Sequence, residues 1–159
     1  MILDKRTSVF SGAETSVLIV EDDLAIGEML ETGLQYYGFL PRFVASVPEA
    51  KALLARWKPD YILSDYHLGQ HNGEEVLKTV ALNYPDLVAA KRFQFVTGEP
   101  DYVESVERKF PIVVHGKPFR LKEIVRSLLA CPALDEPQVL ATKSELALFM
   151  ENALLSTSC

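Results

Sequence analysis

Five polar side chains in this sequence are of types that can do chemistry together, and each lies just beyond a short apolar run. Glu21 and Asp22 follow Ser16-Val17-Leu18-Ile19-Val20, Asp65 follows Tyr61-Ile62-Leu63-Ser64, Thr97 follows residues 92–96, and Lys117 follows residues 111–115 after Gly116. Three carboxylates brought together repel one another and need a counter-charge. An all-oxygen donor set favours Mg²⁺ over zinc, and Lys117 adds a second positive charge. A hydroxyl and an ammonium facing a metal-bound carboxylate can share the oxygens of a phosphoryl group during an in-line transfer. The carboxylate can itself be the nucleophile and form an aspartyl-phosphate.

These residues can meet only if their strands are parallel, and the pattern of elements predicts that they are. Residues 16–20 form a continuous apolar, β-branched run suited to a strand buried on both faces. Ile26, Met29, Leu30, Gly33, Leu34 and Tyr37 recur at helical spacing, with Gly38 placed to end that helix. Residues 40–44 read as a strand, and Ser46 as the cap of a helix over 48–57. A third strand covers 61–64, followed by a helix over 73–83 that Tyr84-Pro85-Asp86 ends. A strand over 92–96, a short weakly amphipathic helix over 101–109, a strand over 111–115 and a helix carrying Leu121, Ile124, Val125, Leu128 and Leu129 complete the series. Five strand–helix units in alternation predict an α/β fold with a parallel sheet and helices on both faces. In such a sheet the carboxyl ends of the strands share one edge, where ligands bind. Residues 1–15 read as a flexible N-terminal extension, 16–130 as the domain, and 131–159 as a linker followed by an amphipathic helix over about 144–155.

Composition narrows the class further. The 159 residues are 48% hydrophobic, enough for a packed core, and carry a net charge of −6, which argues against direct nucleic-acid binding. No apolar run approaches the about 20 residues that span a bilayer. Asp4, Lys5 and Arg6 interrupt the N-terminus, so no secretory signal is expected. Cys131 and Cys159 match neither a disulfide framework nor a zinc spacing. A reducing, cytoplasmic setting is the expectation.

The sequence resembles the receiver domains of response regulators in two-component signalling. The resemblance rests on Val17-Leu18-Ile19-Val20-Glu21-Asp22-Asp23, Ser64-Asp65-Tyr66-His67-Leu68-Gly69 with Gly73, Val96-Thr97-Gly98 and Lys117-Pro118-Phe119. It covers residues 16–130 and implies a flavodoxin-like (βα)5 doubly wound sheet of strand order 2-1-3-4-5. It implies Asp65 as phosphoacceptor, with Mg²⁺ held by Asp22, by Glu21 mostly through water, by Asp65, and by the backbone carbonyl of His67. Thr97 is then the switch hydroxyl, Lys117 the phosphoryl clamp, and Pro118 a residue often joined by a cis bond. The implied partners are a histidine kinase or histidine phosphotransfer protein and an unknown downstream protein. Three departures set the chain apart within that resemblance: Gly69 replaces a common proline, Val114 a common aromatic, and the stretch 99–111 is short. In these it is similar to atypical receivers, including some attached to hybrid kinases.

Plainer roles compete at several positions. Asp23 reads as a helix cap. His67, His71 and His115 match no zinc spacing and read as exposed loop histidines. His67 and Glu99, two residues past Asp65 and Thr97, border the path of a hydrolytic water. The tail stripe Leu146-Phe149-Met150-Leu154 is expected to pack on its own domain, with a homodimer contact or a partner-binding helix as alternatives. The residues after Ala130 are too few for a helix-turn-helix output domain. A phosphoacceptor module that turns over no metabolite, and so is not an enzyme, is therefore the expectation. Two alternatives stay open. One is a Mg²⁺-dependent aspartyl-phosphate phosphohydrolase or phosphotransferase, which would want an acid at His67 and a cap insertion. The other is a degenerate receiver used only for binding.

Overall fold

The computed structural model describes residues 15–157; most of the expected N-terminal extension lies outside them. Five strands, β1 (Ser16–Val20), β2 (Leu40–Val44), β3 (Tyr61–Ser64), β6 (Phe93–Thr97) and β7 (Val113–Gly116), form one parallel sheet of order β2-β1-β3-β6-β7. Counted within the sheet, this is the expected order 2-1-3-4-5. Val17, Leu18, Ile19 and Val20 have no exposed surface, because helices cover both faces and a central strand needs apolar side chains at every position.

The helices are α1 (Leu24–Tyr36), α2 (Val47–Leu54), α3 (Gly73–Asn83), α4 (Pro85–Ala89), α5 (Glu104–Glu107), α6 (Leu121–Leu129) and α7 (Pro137–Thr157). Local chemistry sets their starts. Asp23 caps α1 by accepting from the N–H groups of Ala25 and Ile26 at 3.0 and 3.3 Å. Ser46 caps α2 through Glu49 N–H, and Asn72 and Glu75 cap α3 reciprocally. Gly38, at φ 93°, turns the chain out of α1 toward β2.

Several boundaries differ from expectation. α2 ends at Leu54 rather than residue 57. A two-residue hairpin, β4 (His67–Leu68) with β5 (His71–Asn72), leads into α3, and α4 adds a turn where the chain was expected only to break. The expected helix over 101–109 is instead a 3-10 turn (Pro100–Val103) plus the single turn of α5. The tail helix starts at Pro137, not near 144, with proline in the first turn where its missing N–H costs nothing.

α6 packs with α1 on one face of the sheet, in a cluster with Val17, Ile19, Leu34 and Ile124. α7 lies on the other. Its Leu146 and Met150 join Leu77, Val80, Val103, Val106 and Phe110 in the second core, and Val139 packs on Ala89 and Ala90. The connecting segment is tied to the start of β6: Arg92 donates to Pro132 O at 3.2 Å, and the Cys131 thiol to Lys91 O at 3.3 Å. Leu146 and Met150 of the tail stripe thus pack on their own domain, while Phe149 and Leu154 stay largely exposed. Among the described residues no helix is long and apolar enough to cross a membrane.

Candidate functional site

The sheet's hydrogen-bond ladder runs one residue past the strands and so delivers the reactive side chains to a common edge. Glu21 N–H donates to Val44 O at 3.1 Å, Asp65 N–H to Val20 O at 2.8 Å, and Lys117 N–H to Thr97 O at 2.8 Å. Carboxylate oxygens of Glu21, Asp22 and Asp65 come within 4.8 Å of one another. Lys117 Nζ sits between two of them, 2.6 Å from Glu21 Oε1 and 3.2 Å from Asp65 Oδ2. The peptide bond between Lys117 and Pro118 is cis, as the resemblance implied.

Asp65 is oriented from three sides. Its Oδ1 accepts from the N–H of Tyr66 at 2.7 Å, its carbonyl accepts from Ser64 Oγ at 2.8 Å, and its Oδ2 faces Lys117. Gly73 abuts the Asp65 carbonyl and the Phe95 ring so closely that a Cβ there would overlap both. Residue type does not mark Ser64 or Tyr66 as a site residue: Tyr66 acts through its backbone N–H, and Ser64 through a hydroxyl turned onto the acceptor's carbonyl. Gly73 was legible only as part of a family pattern; its role is to admit the acceptor's backbone.

Thr97 is fully buried, and its Oγ1 accepts from Glu99 N–H at 3.2 Å. Beyond it, His67 Nε2 and Glu99 Oε2 stand 2.8 Å apart on the exposed rim. The imidazole of His67 is thereby directed to Glu99 and lies outside the acidic cluster. His71 meets Glu75 at 2.9 Å. His115 departs from the expected exposed histidine: it is half-buried and meets the side chain of the fully buried Gln94 at 2.7 Å.

Burial dominates the electrostatics. It pushes the Glu21 carboxyl up to about 7, assisted by Asp65 and opposed by Lys117. Burial also works against the charged Lys117, but Glu21 and Asp65 outweigh it and hold the ammonium above its usual range. The Glu21 shift has a consequence for stability without added metal. Between its ordinary value and about 7 the folded state binds the extra proton, so Glu21 contributes less stability as pH rises through that window. His115, held below its usual value by burial, tilts the curve the other way below about 6.5. The Glu21 contribution is therefore read as a difference. In EDTA, the thermal midpoint of wild type relative to Glu21→Gln should fall between pH 5 and 8. Parallel curves would contradict the shift.

The donor set fits a hard divalent cation: three convergent carboxylates, all oxygen, beside a single ammonium. A divalent cation held by such a cluster would neutralise a phosphoryl group on one side while Lys117 does so on the other.

No family model matches the chain. Over 75 residues it is 32% identical to the photosynthetic apparatus regulatory protein RegA of Cereibacter sphaeroides, a match that takes in 47% of this chain and 41% of that protein. The chain thus spans about two fifths of that relative's length. Among solved structures it is similar to the non-phosphorylated receiver domain of HemR from Leptospira biflexa, with 26% identity and a TM-score of 0.61 over 72% of this chain and 90% of the other. It is also similar to a response regulator protein from Burkholderia pseudomallei, whose crystal structure contains a phosphorylated aspartic acid, a calcium ion and citrate. There the identity is 23% and the TM-score 0.61, over 84% of this chain and 74% of the other. The fold is that of the response-regulator receiver domains.

Proposed function

We propose that this chain is a phosphoacceptor module of a two-component phosphorelay, with Asp65 as the acceptor. The observation that carries this reading is the position of Lys117 Nζ, bridging Glu21 and Asp65 at 2.6 and 3.2 Å beside a three-carboxylate cluster. The receiver fold supports it. So does the structurally similar Burkholderia protein, whose crystal structure contains a phosphorylated aspartic acid and a calcium ion.

In this reading the donor is a phosphohistidine of a kinase or phosphotransfer protein. Tyr66 N–H and Lys117 hold the Asp65 carboxylate so that one oxygen faces the incoming phosphorus. That oxygen attacks, the P–N bond breaks, and its electron pair returns to the donor imidazole, which takes a proton from water. Glu21, Asp22, Asp65 and the backbone carbonyl of His67 would hold Mg²⁺, which supplies charge neutralisation to the transferring group. Lys117 and the Thr97 hydroxyl then take phosphoryl oxygens of the product. Thr97 is joined through Glu99 to the short 3-10 and α5 segment, so movement of its hydroxyl toward the phosphoryl group would shift that surface for a downstream protein. The module works in the cytoplasm and turns over no metabolite.

Incubation with acetyl phosphate and Mg²⁺, followed by intact mass measurement, tests this. The expected result is one phosphoryl adduct, absent in Asp65→Asn. An adduct that survives in Asp65→Asn, or rapid turnover of added phosphometabolites, would replace this reading with another.

His67 and Glu99, two residues past Asp65 and Thr97, pair at 2.8 Å; in this reading they border the path of the hydrolytic water. Replacing both residues with alanine should admit water and shorten the phosphoryl lifetime several-fold, measured as loss of the adduct after donor removal. An unchanged lifetime would exclude them from that role.

A further inference from the structure

The segment after β6 contributes only a 3-10 turn and one α-helical turn, and α7 crosses to the same side of the sheet. Val103, Val106 and Phe110 from the first and Leu146 and Met150 from the second share one core. They leave a cavity of about 470 Å³ between α3, α7 and the turn at Lys109 and Phe110. Small-ligand sites run from about 300 to 1,000 Å³, largely apolar with a few convergent polar groups.

The walls here have that character. Phe110 and Phe149 meet edge to face with ring centroids 5.8 Å apart, next to Met150, Leu82 and Leu154. Phe149, Leu82 and Leu154 remain 44%, 44% and 49% exposed, so apolar surface stays in water at the opening.

The charges on the rim set the sign of the occupant. Lys78 is turned to Glu74 at 3.4 Å, and Lys51 lies 4.0 Å from Glu75, which also meets His71 at 2.9 Å. Both rim acids are thus matched. Lys109 alone has no ion pair among the described residues. In a chain of net charge −6, this leaves one unmatched cation beside an apolar floor.

We propose that this cavity binds a small amphipathic carboxylate, its hydrocarbon part lying on Phe110, Phe149 and Met150 and its charged end meeting Lys109. The site is separate from the acidic cluster, and the proposal does not rest on phosphorylation.

The test uses the full chain with octanoate and its uncharged counterpart octanol, titrated by calorimetry and mapped by amide chemical shifts. Octanoate should occupy one saturable site, about tenfold more tightly than octanol, the factor expected of one charge-assisted contact. The shifts should centre on Lys109, Phe110 and Phe149. Lys109→Glu, an exposed substitution, should abolish the preference for the acid, and Phe149→Ala should weaken both ligands. Asp65→Asn should bind octanoate as wild type does. Equal binding of octanol, indifference to Lys109→Glu, or shifts centred elsewhere would overturn the proposal. So would sedimentation showing that the ligand-free chain is a dimer with these residues covered, which would assign the cavity to a second copy.

Discussion

Lys117→Ala should slow phosphorylation of Asp65 by about 10²- to 10³-fold while leaving cation binding in place. The magnitude is that of removing one preorganised group aimed at developing charge. In this molecule the group is a half-buried ammonium already held 3.2 Å from Asp65 Oδ2. The second half of the prediction follows from the other side of the cluster. Glu21, Asp22 and Asp65 still converge without the lysine. Glu21 then loses the partner that opposes its burial, and its carboxyl should titrate higher still. The adduct formed from acetyl phosphate is followed in time by intact mass, and Mg²⁺ binding by calorimetry from about pH 7 to 9, so that the higher titration of Glu21 in the variant is told apart from loss of the cation site. A phosphorylation rate equal to wild type would remove Lys117 from the chemistry. Loss of cation binding with loss of rate would instead make it a structural support.

The second large effect concerns the tail. Leu146→Ala and Met150→Ala should each destabilise the fold by about 2–4 kcal/mol, as deletions of buried aliphatic atoms do. Leu148→Ala, on the same helix but 60% exposed, should be close to neutral. Leu146 and Met150 are 5% and 7% exposed and share a core with Val80, Val106 and Phe110. α7 therefore completes one face of the sheet rather than hanging from it. Urea denaturation of the three variants settles this. Equal, small effects at all three positions would mean that α7 contributes little to folding.

The strands were readable because a parallel sheet covered on both faces favours apolar residues along its centre. The boundaries of β1 and β3 follow directly from such runs, whereas β2 lies at the sheet edge, carries Pro41 and Arg42 and is only partly buried. The segments that departed from expectation have no period of their own. Pro100–Val103 and Glu104–Glu107 form where Val103 and Val106 reach the core, and the five residues Pro85–Ala89 coil into α4 because Leu87, Val88 and Ala89 are buried there. The first two turns of α7 were hidden for the same reason. Val139 is its only buried residue there, and its partners Ala89 and Ala90 lie far away in sequence.

At the site, residue type and place sufficed to nominate Glu21, Asp22, Asp65, Thr97 and Lys117, because parallel strands must present their carboxyl ends at one edge. That is what the amino-acid sequence by itself determined: a set of groups, an edge, and a chemistry consistent with both. Distances between residues far apart in the chain came only with the tertiary structure. It placed Lys117 between Glu21 and Asp65, turned Tyr66 N–H onto the acceptor, joined His67 to Glu99 and brought α7 onto the sheet. Periodicity describes how a segment meets its surroundings, whereas a 2.6 Å contact across 96 residues depends on how every intervening element packs.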